Sequence, residues 1–85
     1  MFSSSNANDL NAMLPLASDD AEIVSIIKTA IQYFTINLGA RNELRCAEFR
    51  LVALKALNAL QDTTILKSWL PQVKGLVYTE SVLMD

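Results

Sequence analysis

Between Ile23 and Leu38 the apolar side chains fall at Ile23, Ile26, Ile27, Ala30, Ile31, Phe34 and Leu38. This is the i, i+3/i+4, i+7 recurrence of an amphipathic helix. Glu22, Ser25, Lys28, Thr29, Gln32 and Thr35 supply its polar face. The segment is rich in Ile, Val, Thr, Tyr and Phe, which favour strands. Strict alternation is absent, however, so the period decides for helix. Ser18-Asp19-Asp20-Ala21-Glu22 marks its start. Asp19 followed three residues later by Glu22 has the spacing of a capping box, and the acids sit where the helix dipole favours them. Gly39 offers the left-handed residue that commonly ends a helix, so a helix is predicted over 19–38.

A second helix is predicted over 42–61, with Asn42 as N-cap and Glu43 behind it. It contains no Gly or Pro and consists mostly of strong helix formers. Asp62-Thr63-Thr64 then punctuates the chain, and either Asp62 or Thr63 can cap the next helix. Ile65, Leu66, Trp69 and Leu70 have helical spacing up to Pro71, which is expected to break or kink the helix. Val73, Leu76, Val77 and Leu83 resume the pattern. A broken helical segment over 64–84 results. Near the N-terminus, Asp9 to Pro15 reads as a short helical turn capped by Asp9, with Leu10, Met13 and Leu14 on one side. Ser3-Ser4-Ser5-Asn6 reads as a mobile tail. The expected organisation is a flexible tail over 1–8 and a single helical domain over 9–85. Its fold class is all-α, a small antiparallel bundle of about three helices with a mobile N-terminal tail.

On a helical wheel, residues 41–61 carry two apolar stripes. One is Cys46, Phe49, Ala53, Ala56, Leu57 and Leu60. The other is Leu44, Ala47, Leu51 and Leu54, followed by Asn58. A helix at the edge of a small bundle needs a single stripe. Two stripes imply either a central helix covered on both flanks by 19–38 and 65–83, or a helix with one flank reserved for a partner. The second stripe has the 3-4-3-4 spacing of a coiled-coil seam, with Asn58 at an a-like position where a buried Asn can fix register. Only about two heptads are present, fewer than a firm coiled-coil assignment needs. Trp69 is a second residue of this kind: it reads either as a core plug or as an interface anchor, since Trp is enriched at binding hot spots.

Composition sharpens the question. In 85 residues, 52% are apolar and 19% charged. A domain this small buries only about 60% of its unfolded surface, so apolar side chain is in surplus. Seven basic residues against nine acidic ones give a net charge of −2. That balance argues against general affinity for nucleic acid, which depends on phosphate neutralisation. Lys28 stands against Asp9, Asp19, Asp20 and Glu22 in residues 1–40, a net of −3. In residues 41–85, Arg41, Arg45, Arg50, Lys55, Lys67 and Lys74 stand against Glu43, Glu48, Asp62, Glu80 and Asp85, a net of +1.

Candidate chemistry is sparse. There is one Cys and no His, so Cys46 has neither a disulfide partner nor an imidazole to activate it. It reads as a buried packing thiol in a reducing, cytoplasmic setting. No glycine-rich phosphate loop, metal-ligand cluster or cofactor motif is present, and neither catalytic residues nor a small-molecule substrate are indicated. The sequence shows no targeting segment and no apolar run long enough to span a bilayer.

In size and composition the chain resembles small partner-binding proteins, such as secretion chaperones, adaptors, and inhibitor or immunity proteins. What that implies is a non-enzymatic, acidic helical module. It would bind a protein partner or form a homo-oligomer through Leu44, Ala47, Leu51, Leu54, Asn58 and Trp69. The alternative is a small helix-turn-helix-like regulator, with Thr63 to Trp69 as recognition helix. That alternative requires the basic residues of 41–74 to cluster on one face.

Overall fold

A computed structural model describes residues 6–84, with side chains described through residue 77. The described residues are all-helical and include no strand. Four α-helices follow in order: α1 (Ala7–Met13), α2 (Asp20–Gly39), α3 (Glu43–Ala59) and α4 (Thr63–Met84). A single 3-10 turn, Leu14–Leu16, joins α1 to the loop before α2. The long helices arise where the apolar period placed them. The predicted tail lies outside the described residues as far as residue 5, as do the side chains of Tyr78 and Leu83; residues 6–8, expected in that tail, instead cap and begin α1, with Ala7 buried in the core.

Each helix start is satisfied locally. The first amides of a helix lack intrahelical acceptors, and a short polar side chain just before the helix supplies one. The Asn6 side chain accepts from the Asn8 amide at 2.9 Å and so caps α1. Asp9, expected as that cap, instead lies within the first turn. Asp19 accepts from the Glu22 amide at 2.9 Å. The return half of the capping box is displaced by one residue: the Glu22 carboxylate accepts from the Ser18 amide at 2.6 Å and from the Ser18 hydroxyl at 3.1 Å. Asn42 caps α3 by accepting from the Arg45 amide at 3.1 Å. Of the two candidates for α4, Asp62 is the cap, accepting from Thr64 at 2.8 Å and from Ile65 at 3.3 Å.

Two helix ends differ from the sequence reading. Gly39 is not left-handed; it is the last residue of α2, and no glycine has positive φ. The left-handed residue is Arg41, with φ 58°. The Asn42 amide donates back to the Asn37 carbonyl at 2.9 Å and the Arg41 amide to Leu38 at 3.1 Å. These are the paired bonds of a Schellman motif with a non-glycine residue at its left-handed position. Pro71 does not break α4, which runs unbroken from Thr63 to Met84. Pro71 and Lys67, whose carbonyl loses its i+4 donor, are both exposed. Water can therefore replace the missing bond, and the rest of the helix is held by the packing of Val73 and Leu76.

One hydrophobic core unites all four helices. Its largest fully buried side chains are Phe34, Phe49, Leu10, Ile27, Val52, Val73 and Cys46. The Tyr33 ring stacks on Phe49 with centroids 5.5 Å apart. Leu10 and Ala7 bring α1 into this core. A tertiary clasp adds to this packing: one Asp20 carboxylate accepts from the Gln61 amide at 3.1 Å and the Asp62 amide at 2.8 Å. It thereby ties the first turn of α2 to the bend between α3 and α4.

The molecule measures 36 × 27 × 14 Å along its principal axes. Packed helices lie about 8–10 Å apart, so the thin dimension holds two layers. No helix in such a slab is enclosed on every side, and α3 keeps an outward face.

A candidate interaction face on α3

The first stripe of α3 is core. Cys46, Phe49, Ala53, Ala56, Leu57 and Leu60 are all buried. Val52 is fully buried as well, although the wheel assigned it to neither stripe. Its position beside Ala56 and Phe49 on the wheel was the available signal.

The second stripe is uncovered along its crest. Leu44 is 72% exposed and Leu51 is 49% exposed. Asn58 is exposed, while Ala47 and Leu54 are half-buried. Of these five, Leu54 also packs against the core. The alternative in which helices 19–38 and 65–83 cover both stripes is therefore not what the fold does with Leu44 and Leu51. Asn58 faces water within a single copy, so any register-fixing role would need a second chain against it.

Charged residues border the strip on both sides. Glu48 and Lys55 lie on one flank, Glu43 and Arg50 on the other, following the 100° step of the helix. Glu43 and Lys55 are exposed, and Glu48 and Arg50 half-buried. An apolar crest with charged flanks is the arrangement through which helices recognise helices.

Trp69 stands apart from this strip. It belongs to α4, is half-buried and packs against the core. The Lys28 ammonium of α2 lies 6.0 Å from its ring centroid. That geometry suits a cation–π contact bracing α2 against α4. The Arg45 guanidinium likewise lies 6.0 Å from the Phe49 ring centroid. Arg45 and Arg50 are half-buried, whereas Arg41, Lys55, Lys67 and Lys74 are exposed. On the wheel Arg50 points away from Arg41, Arg45 and Lys55, so α3 offers no single basic face.

Concave features also lie elsewhere among the described residues. An open groove of about 640 Å³ runs between the Met13–Ala17 segment and α2, with Glu22, Ser25, Thr29 and Gln32 along its polar wall. Leu16, 80% exposed, stands on its lining. A smaller groove of about 500 Å³ is lined by Asp19, Asp20, Asp62 and neighbours. Each of these carboxylates already accepts backbone amide donors. Among the described residues no set of three or more His, Cys, Asp or Glu side chains is arranged to hold a metal ion.

The Cys46 thiol is buried and lies 3.6 Å from the Phe34 carbonyl oxygen, which places it among packing groups. Among the described residues no helix is long and apolar enough to cross a membrane.

No family, curated protein or solved structure matches this chain.

Proposed function

We propose that the chain is a small helical protein-binding module. It holds a partner chain, or a second copy of itself, on the outward face of α3. The observation that carries this reading is the exposure of Leu44 (72%) and Leu51 (49%), one heptad apart, on a helix whose opposite face is fully buried. Single exposed apolar residues are ordinary on monomer surfaces. Two leucines in register, with Ala47 and Leu54 between and beside them, form a strip of the kind a partner helix or groove reads at i, i+3/i+4 and i+7.

In this reading α2, α3 and α4 pack antiparallel as the scaffold, and the Lys28–Trp69 contact stiffens it. The work is binding, not catalysis, as in chaperones, adaptors and inhibitors. A reducing cytoplasm keeps Cys46 a thiol. In total extent the surface is that of an ordinary compact protein. The accessible surface is 5213 Å², close to the roughly 5,000 Å² of a compact protein of this mass.

A photo-crosslinking residue placed singly at Leu44, Leu51, Thr64 or Gln72 tests the reading in the native cell. All four sites are exposed. Discrete protein adducts at 44 and 51, and none at 64 and 72, are expected. Equal adducts at all four sites, or none at 44 and 51, would overturn it.

A further inference from the structure

We propose that the outward face of α3 pairs with the same face of a second copy in antiparallel orientation. Leu51 then packs on the partner copy's Leu54, and Glu48 lies opposite the partner copy's Lys55. This rests on the binding-module reading and names its partner.

The argument is one of register and charge. With Leu44, Leu51 and Asn58 at a positions and Ala47 and Leu54 at d, Glu43 and Arg50 fall at g, and Glu48 and Lys55 at e. A parallel, in-register pair would set each g residue against the e residue five positions on in the other helix. Glu43 would then face Glu48, and Arg50 would face Lys55. Both are like-charge contacts, and twofold symmetry makes four of them. Reversing one helix instead sets e against e. In the register that packs Leu51 on the partner copy's Leu54, Asn58 lies beside the partner copy's Ala47. Glu48 then meets Lys55 of the other helix twice. Arg50 lies opposite Leu57, which is buried in its own core. The antiparallel register is thus the one in which the central Leu51–Leu54 layers and the flanking charges agree, while Leu44 lies opposite the partner copy's Gln61, just past the end of α3. The small Ala47 also leaves room beside it for the Asn58 amide.

Two heptads bury little area, so the complex belongs to the weak, concentration-dependent class. Its charged rim makes association fall as salt rises.

Sedimentation equilibrium of the purified full chain over a concentration series, with circular dichroism on each variant, tests the proposal. The wild type is expected to rise from 9.4 kDa toward twice that mass. Lys55 is exposed, so Lys55→Glu keeps the fold. It replaces two attractive contacts by two repulsive ones and weakens self-association by about five- to thirty-fold. Glu48→Lys acts equally through the same symmetry. Combining both substitutions restores the opposite pairing and most of the affinity. A parallel dimer gives the reverse, because Lys55→Glu would turn its Arg50–Lys55 repulsion into attraction and tighten it. Tightening by Lys55→Glu, or failure of the double variant to recover, would overturn the arrangement. A wild type that stays at the monomer mass up to its solubility limit would overturn self-pairing altogether. Crosslinked adducts at 44 and 51 would in that case still mark the face as the site of a different partner.

Discussion

Removing the Asp20 carboxylate should loosen the whole fold, though Asp20 is a partly exposed residue at the start of a helix. Its two oxygens accept from Gln61 at 3.1 Å and Asp62 at 2.8 Å, bridging 41 and 42 residues of sequence. Hydrogen bonds to charged groups contribute about 1.5–3 kcal/mol in sheltered settings, and neutral ones about half that. Water reaches this clasp, so roughly 0.5–1 kcal/mol per bond is appropriate. Loss of an acid from the first turn of α2 adds about 0.3–1 kcal/mol through the helix dipole. Asp20→Ala should therefore cost about 1.5–3 kcal/mol. In a domain of this length that lowers Tm by roughly 6–24 °C. Asp20→Asn keeps one acceptor oxygen and should lose about half as much. Urea unfolding followed by circular dichroism, at one fixed protein concentration, measures both. An Asp20→Ala variant within about 0.5 kcal/mol of the wild type, the usual scatter of surface substitutions, would refute the clasp.

Other consequences rest on single residues. Gly39→Ala should raise stability by about 0.5–1 kcal/mol, because Gly39 lies in the last turn of α2 and a Cβ there meets open space; a lower Tm would show that the position needs glycine. Phe49→Ala should cost about 3–5 kcal/mol, since the ring is buried and stacked on Tyr33; a shift in urea midpoint under a third of that size would contradict the assigned core. The Cys46 thiol should react with a thiol reagent far more slowly in the native protein than in denaturant, because it is buried; equal rates would place it at the surface.

The hydrophobic period made α2 and α3 legible, because each devotes one continuous face to the core and each begins at an Asp or Asn cap. What stayed hidden depends on contacts distant in sequence or on balances the period does not encode. Gly39 is the residue any rule would choose for the left-handed position, yet the chain places it at Arg41, where the two bonds of the Schellman motif close. A left-handed non-glycine residue costs about 1–2 kcal/mol, and the neighbouring caps and core packing hold it there. Pro71 reads as a break because the rule concerns the missing amide, while its exposed position, which lets the helix continue, is set by the tertiary fold. Asp20 looks like a dipole residue until the α3–α4 bend arrives beside it. The second stripe of α3 was visible on the wheel, but its exposure depends on where α1, α2 and α4 lie. Trp69 reads from the sequence as plug or anchor alike, and the Lys28 ammonium beside its ring depends on how α2 and α4 pack.

The central claim, that the outward face of α3 is a binding surface and not core, is tested most directly by Leu51→Asp. Leu51 is 49% exposed, so the change should cost only about 1–2 kcal/mol, small against the roughly 5–15 kcal/mol of a folded domain. Circular dichroism and sedimentation on this one variant, with co-purification from the native cell, are expected to show wild-type helicity and cooperative unfolding together with loss of assembly. A variant that unfolds would show the face to be core, and one that keeps both its fold and its assembly would remove α3 as the binding surface.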